Sequence, residues 1–212
     1  FHYVLHDGET SVARNDIDRL PLLEAVERME QVFTGPLNPE KEIELGLFKL
    51  RIPQFPVEGV REAVLNALTH RDYLNPGEIL VRHSTQELVV TSPGGFVAGI
   101  TPENILRHEA VPRNRTLANA LVKLRLVESS GIGRRRIFRS ALVFGKRRPE
   151  YVTDGHAVTL RMFNREAHDA LAKLIAQLDA QGAEVALDQL LVLDALLGQE
   201  FIDVGQAANV LQ

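Results

Sequence analysis

Glu62 and Asn66 stand four residues apart in the stretch 57–73, VEGVREAVLNALTHRDY, a spacing that lines up polar groups a protein core would not ask for. On an α-helix it places both side chains on one face, a turn apart, and His70 extends the stripe by another turn. Val57, Val60, Val64, Ala67 and Leu68 make the opposing apolar stripe. The stretch therefore predicts an amphipathic helix whose polar face looks at water or at a polar ligand. Glu and Asn at this spacing are also common on solvated helix faces, so the pair alone does not decide between the two.

Two glycine pairs could bring a ligand to the backbone. Ser129-Ser130-Gly131-Ile132-Gly133 leads into a helical stretch, and a glycine-containing turn that opens a helix suits a phosphate, because unbonded N–H groups and the helix dipole both favour an anion. Ser92-Pro93-Gly94-Gly95-Phe96 ends a strand-like run, where paired glycines allow φ > 0 or the close approach of a ligand; a plain tight turn explains them equally well.

Charge is segregated. Residues 104–148 hold twelve Lys or Arg against Glu109 and Glu128, a balance of +10, and the rest of the chain carries −14. This predicts an anionic partner over the basic segment, either nucleotide phosphate or nucleic acid. The cluster Arg134, Arg135, Arg136, Arg139, Lys146, Arg147 and Arg148 reads three ways: a solvated helix face with its tail, a contact to nucleotide phosphate, or a contact to DNA. A DNA contact would run through phosphates and depend strongly on salt, since only Phe138 and Phe144 lie near enough in sequence to stack on bases.

The elements that must position these residues follow from periodicity and turn chemistry. Residues 1–6 read as a short strand closed by Asp7-Gly8, and 18–33 as a helix stopped by Gly35-Pro36. Residues 42–51 read as a strand with an irregularity at Gly46, and Pro53 and Pro56 break the chain before the 57–73 helix. Strands at 78–83 and 87–92, joined by Ser84-Thr85-Gln86, predict an antiparallel hairpin. Thr101 and Pro102 predict a short helix to His108, a second helix spans Leu117 to Leu126, and a third runs over 134–144. Residues 157–163 predict a strand, 165–181 a helix closed by Gly182, and 188–197 and 204–211 the first two helices of a helix-turn-helix unit.

Composition excludes several classes. With 45% hydrophobic and 25% charged residues in 212, the chain has the content of a globular protein with a full core. No run of about 18 apolar residues predicts a membrane span. Zero Cys excludes disulfides, thiolate metal sites and cysteine nucleophiles. His70-Arg71-Asp72 lacks the Asn that a kinase catalytic loop needs five residues on, where Gly77 stands. Gly145-Lys146 lacks the rest of a P-loop, and the His residues lack H-E-x-x-H spacing. The sequence begins FHYVLHD, with neither an initiator Met nor the pattern of a signal peptide, and is read as a fragment of a longer cytoplasmic protein.

The order of these signals resembles the Bergerat ATP-binding fold of the GHKL superfamily. More closely, REAVLNALTHRDY, TSPGGF, GITPENIL, VPRN and LVESSGIGRRRI are similar to the GHKL-like domain of bacterial transcriptional regulators and RecG-helicase-like C-terminal regions, over most of residues 20–163. The resemblance implies an α+β fold, a two-layer α/β sandwich with a mixed β-sheet, over 19–164. Residues 1–18 would be the end of a preceding domain or a leading strand, with a Schlafen/AlbA-like domain upstream. Residues 165–212 would be a helical linker and the start of a winged-helix domain.

The implied cofactors are ATP and Mg²⁺. By resemblance Asn66 is the metal ligand and Glu62 the general base toward the attacking water, roles that suit a hard amide oxygen and a carboxylate. Gly94 and Gly95 would lie by the adenine and lid edge, Gly131 and Gly133 by the phosphates, and 97–130 would form the lid. Ser92 departs from the family pattern, standing where nucleotide-binding members carry the Asp that accepts from the adenine amino group. A charge-assisted bond contributes roughly 1.5–3 kcal/mol against about 1 for a neutral one, so weakened or lost adenine recognition is expected.

Three functions follow from the resemblance. The first is a bacterial transcriptional regulator with a degenerate ATP-binding domain coupled to a DNA-binding winged helix. The second is an active Mg²⁺-dependent ATPase driving a conformational or dimer switch, and the third is a ligand-free dimerisation scaffold. The implied partners are nucleotide, DNA for the full-length protein, and a second copy in a homodimer.

Overall fold

The computed structural model describes residues 1–7, 11–17, 19–97, 99–128, 131–164, 168–197, 199 and 201–211. The strands are β1 (His2–Asp7), β2 (Ser11–Ile17), β3 (Glu40–Leu45), β4 (Phe48–Pro53), β5 (Leu80–His83), β6 (Glu87–Pro93), β7 (Glu150–Thr153) and β8 (Ala157–Phe163). The helices are α1 (Leu22–Thr34), α2 (Val57–His70), α3 (Arg115–Lys123), α4 (Gly133–Leu142), α5 (Asp169–Ala180), α6 (Leu187–Leu197) and α7 (Val204–Val210).

Six strands form one mixed sheet in the order β2-β1-β5-β6-β8-β7. Only β1 and β5 run parallel; the other neighbours are antiparallel, including the β5–β6 hairpin with Val81 opposite Val90. α2 lies over β6 with α1 and α4 packed beside it, so a helical layer covers the sheet as in an α/β sandwich. The core between the layers is built from Tyr3, Phe33, Phe55, Val60, Val64, Leu65, Val81, Leu88 and Met162, all at most 2% exposed.

α2 follows Pro56, an N-cap in extended backbone that lets the helix start at Val57. Flanked on both sides, it is buried nearly all round: Gly59, Val60, Ala63, Val64, Leu65, Ala67 and Leu68 are buried, and so is Glu62. Of its polar stripe, Glu62 is enclosed while Asn66 and His70 are half-buried. Close packing also sets Gly59, where a Cβ would meet Ser140 Oγ of α4 at 2.2 Å.

A second core joins Phe138 and Leu142 of α4 to Leu171 and Ile175 of α5 and to Leu187, Leu190 and Leu191 of α6. The described residues of 168–211 carry α5, α6 and α7 and no strand. No helix among the described residues is long and apolar enough to cross a membrane.

Several local expectations change. The single strand expected over 42–51 is a hairpin, β3 and β4, because Gly46 takes φ 62° and Leu45 pairs with Phe48 across a two-residue turn. The helix expected over 102–108 is a run of turns. There the Thr101 N–H donates to Asn104 Oδ1 at 2.8 Å and Asn104 Nδ2 to the Gly99 carbonyl at 2.7 Å, side-chain bonds that compete with a helix. β2 and β7 have no counterpart in the sequence reading. α1 starts at Leu22 and α5 at Asp169, whereas Asp18 and Arg165, where periodicity places the two starts, lie outside the described residues. The Asp7-Gly8 turn and Ser129-Ser130 fall on undescribed positions as well.

Candidate functional site

A cavity of about 250 Å³ opens between α2, the end of β6, the excursion 97–128 and the start of α4. Its walls gather the seven residues singled out in the sequence: Glu62, Asn66, Ser92, Gly94, Gly95, Gly131 and Gly133. Val90, Val97, Ile100, Val158 and Leu160 supply an apolar wall, with Tyr151 beside them. This mixture of an apolar wall and a few convergent polar groups is that of a small-molecule site.

At the α2 side, Asn66 Nδ2 donates to the Glu62 backbone carbonyl at 2.8 Å, which leaves Oδ1 as the acceptor end of the amide. The Glu62 side chain is 5% exposed, and its Oε1 lies 3.3 Å from Arg136 Nη1 of α4. Burial raises the Glu62 carboxyl above its ordinary range; the hydrogen bond and charge of Arg136 oppose that rise. Gly133 is where α4 starts, and a Cβ there would meet Glu62 Oε2 at 2.4 Å and Asn66 Nδ2 at 3.4 Å. Glycine is what lets the turn approach both side chains.

At the other end, Ser92 is buried and its hydroxyl donates to the Ala67 carbonyl at 2.9 Å, tying β6 to α2. Its oxygen can accept from a ligand, but its proton is committed. Gly94 has φ 100°, and a Cβ on it would come within 2.9 Å of Asp72 Cβ. On Gly95 a Cβ would lie 2.4 Å from the Gly155 carbonyl oxygen.

The VPRN stretch has a role that no spacing announced. Arg113 Nε donates to the His70 carbonyl at 2.9 Å and Nη2 to the Gly95 carbonyl, while Asn114 Nδ2 donates to the Thr69 and Arg71 carbonyls at 2.9 and 2.8 Å. Three carbonyls at the C-terminus of α2, groups a helix leaves without intrahelical partners, are thus satisfied from a segment over forty residues later. The Arg113 charge also suits the negative end of the helix dipole. Burial, helped by Arg134 and Arg113, lowers the pKa of His70 to about 4, so it lines the cavity as a neutral ring at pH 7.

The basic cluster is occupied within the molecule. Arg135 pairs with Asp188 at 2.8 Å, Arg139 with Glu184 at 2.9 Å and Arg148 with Asp194 at 3.9 Å, all partners from the acidic C-terminal segment. Arg147 pairs with Glu150, Arg134 Nη2 donates to the His108 carbonyl at 2.8 Å, and Lys146, 2% exposed, donates to Asn164 Oδ1 at 2.9 Å. The charge segregation that suggested an external anion over this cluster is thus largely met by the chain itself. The exposed Arg107, Arg115, Lys123 and Arg125 of the excursion have no ion-pair partner among the described residues.

Among the described residues no group of three or more His, Asp or Glu could hold a metal ion. A Mg²⁺ here would need oxygens from its ligand, as Mg²⁺ commonly does with phosphates. Asn66 offers a hard amide oxygen beside the α4 start, so the site fits a Mg²⁺ that brings its remaining oxygens with phosphate and water.

Residues 77–162 match the family described as "Putative ATP-dependent DNA helicase recG C-terminal". That match covers β5 to β8 with the excursion and α4, and leaves Glu62 and Asn66 outside it. The crystal structure of the DIP2311 protein from Corynebacterium diphtheriae is similar to this chain with a TM-score of 0.86 and 28% sequence identity, covering 99% of this chain. The chain spans 44% of that protein's length. No curated protein matches the sequence.

Proposed function

We propose that residues 19–164 form a GHKL-like domain that binds Mg²⁺-ATP in the cavity beneath α2. The observation that carries this reading is the convergence of Glu62, Asn66, Gly131 and Gly133 on one wall and of Ser92, Gly94 and Gly95 on another, with apolar residues between them. The apolar wall receives the base, and the turn opening α4 presents backbone N–H groups to the phosphates. Asn66 Oδ1 serves as the protein's ligand to the cation. Bound Mg²⁺ neutralises phosphate charge. Because the Ser92 proton is held by the Ala67 carbonyl, base recognition rests on a single hydroxyl acceptor, and affinity for adenine is expected to be modest.

Hydrolysis is favoured by one observation, the enclosed Glu62 carboxyl whose proton affinity burial raises. Glu62 then takes the proton of the attacking water. In the wider reading the domain belongs to a bacterial transcriptional regulator in which α5–α7 lead into a DNA-binding winged helix, and nucleotide occupancy acts through α4. A ligand-free scaffold would require Asn66 to be shut away; Asn66 is only half-buried.

The test is the thermal unfolding of the chain with Mg²⁺-ATP against Mg²⁺ alone, for the native sequence and Asn66→Ala. At 100 times its Kd a ligand stabilises by about 2.7 kcal/mol, which for a domain of this size is a shift of about 5–11 °C. A shift in the native chain that Asn66→Ala loses supports the reading. No shift in either at millimolar ATP overturns it.

A further inference from the structure

Arg136 sits between three carboxylates that belong to two different parts of the fold. Its Nη1 is 3.3 Å from Glu62 Oε1, its Nη2 hydrogen-bonds Glu128, and its Nε is 3.7 Å from Glu58. The Glu58 and Glu128 side chains are 67% and 48% exposed, so water solvates both, whereas that of Glu62 is 5% exposed. Of the three, only Glu62 depends on the guanidinium for its charge to be tolerated.

The geometry also selects between the two oxygens of Glu62. Oε1 is taken by Arg136, and Oε2 faces the Gly133 turn, where a Cβ would lie 2.4 Å from it. Asn66, a turn further on, donates through Nδ2 to the Glu62 backbone carbonyl. Arg136 follows Gly133 by one helical turn, so the element that opens the turn also carries the clamp. Glu128 lies at the end of the excursion that forms the opposite wall.

We propose that Arg136 is the positioning residue of this site: it holds Oε1 of Glu62, leaves Oε2 to act toward the cavity, and through Glu128 ties that orientation to the wall formed by the excursion. The inference rests on the reading of Glu62 as the base. The charged and titratable groups that face Glu62 are Arg136 of α4, Glu58 and Arg61 of its own helix, and Tyr151 of β7, with Glu128 reaching it through Arg136. Arg136 is the one that makes a hydrogen bond to the carboxylate.

The experiment compares the native chain with Arg136→Gln, Arg136→Lys, Glu128→Gln, Glu62→Gln and the Arg136→Gln/Glu62→Gln pair. The first readout is kcat and KM for Mg²⁺-ATP; the second is urea unfolding of the same set. Arg136→Gln is expected to lower kcat by about tenfold or more, within the range a positioned general base supplies, with KM changed less than kcat. Arg136→Lys should restore part of kcat, Glu128→Gln should lower kcat by less than Arg136→Gln, and Arg136→Gln should have no further effect on kcat once Glu62 is Gln. A purely structural Arg136 would lower the urea midpoint and leave kcat of the folded protein in place, and an unchanged kcat in folded Arg136→Gln overturns the inference. If the native chain does not hydrolyse Mg²⁺-ATP, the hydrolytic reading falls, and the double-mutant cycle in urea decides the rest: non-additive effects of Arg136→Gln and Glu62→Gln keep the hold of Arg136 on Glu62, and additive effects overturn it.

Discussion

Arg113 donates through Nε to the backbone carbonyl of His70 at 2.9 Å, so the end of α2 is closed by a side chain from the far wall of the cavity. Asn114 takes the carbonyls on either side. Replacing Asn114 with Ala would strand two carbonyls that neighbouring packing partly shields from water. A cost of about 1–3 kcal/mol is expected, the range for leaving buried acceptors without partners. Arg113→Ala should cost a similar amount and also release Gly95. Urea unfolding at constant m-value measures both, and a change below about 0.5 kcal/mol would show that water replaces the clamp.

Ser92 separates stability from ligand recognition. Its hydroxyl proton goes to the Ala67 carbonyl, so Ser92→Ala should destabilise the fold by about 1 kcal/mol. If the hydroxyl oxygen is the only acceptor offered to the base, the same change weakens Mg²⁺-ATP binding by about tenfold or less, the equivalent of one neutral hydrogen bond. Calorimetric titration with ATP and GTP tests this: loss of ATP preference in the variant is expected, and an unchanged ratio of affinities would place base recognition elsewhere.

Acid should destabilise the fold through its buried imidazoles. His83 is 1% exposed, set among Phe33, Phe55 and Tyr3, and burial lowers its pKa from 6.5 to about 4. His70 shifts in the same direction. The unfolded chain takes up a proton as pH falls below 6.5 while the folded chain does not until about 4. The contribution is therefore complete above 6.5, declines between 6.5 and 4, and changes no further below. The slope for His83 is about 1.4 kcal/mol per pH unit within that window. Urea midpoints from pH 4.5 to 7 read it, and His83→Phe should remove one proton's worth of slope even though it leaves the Tyr3 hydroxyl without its partner at Nδ1.

What the sequence made legible was local. The α2 stripe and the β5–β6 hairpin were readable because their periods are unbroken and their turns carry Gly, Pro or Ser. β2 escaped because SVARNDI has polar residues on both faces, as an exposed edge strand can. β3 and β4 were merged because Gly46-Leu47 looks like an irregularity until Leu45 is seen to pair with Phe48. Glu62, Asn66 and the two glycine pairs could be picked out by type and spacing, and Ser92 through the resemblance. Arg113, Asn114 and Arg136 could not be given their roles, since each acts on a backbone or side chain more than forty residues away. For the same reason the basic segment read as a surface awaiting an external anion, not as one side of an interface with Glu184, Asp188 and Asp194.

That interface bears on nucleic-acid binding. Arg135 and Arg139 face Asp188 and Glu184 in exposed pairs that each contribute about 0–1 kcal/mol. The double variant Glu184→Gln with Asp188→Asn should fold, lose little stability, and bind duplex DNA more tightly than the native chain at low salt. Within 104–148, the exposed Arg107, Arg115, Lys123 and Arg125 have no ion-pair partner among the described residues and can meet phosphates. Replacing these four with Gln should lower the slope of log K against log salt by up to about 4, close to one for each phosphate that regains its counterion. A fall in slope of about 2 on replacing Arg135 and Arg139, near one for each charge removed, would mean that the acidic segment does not stay on α4.

Gly133→Ala tests the centre of the site with the smallest change available. Gly133 lies at the first position of α4, and its φ is not in the left-handed region, so alanine is tolerated by the backbone and favoured by helix propensity. The added methyl would meet Glu62 Oε2 at 2.4 Å and Asn66 Nδ2 at 3.4 Å. The far end of a flexible carboxylate must move, and Arg136 holds its other oxygen at 3.3 Å, so the displacement is taken up at the cavity. The variant should unfold within a few degrees of the native chain, because the methyl's clash and the gain in helix propensity oppose each other. Its thermal shift with Mg²⁺-ATP should fall by more than half, while that of Gly155→Ala, whose Cβ would meet nothing within 4 Å, should fall only as far as its φ of 86° strains the loop. Equal ligand shifts in native and Gly133→Ala chains would move the phosphates away from the α4 turn and with them the assignment of Glu62.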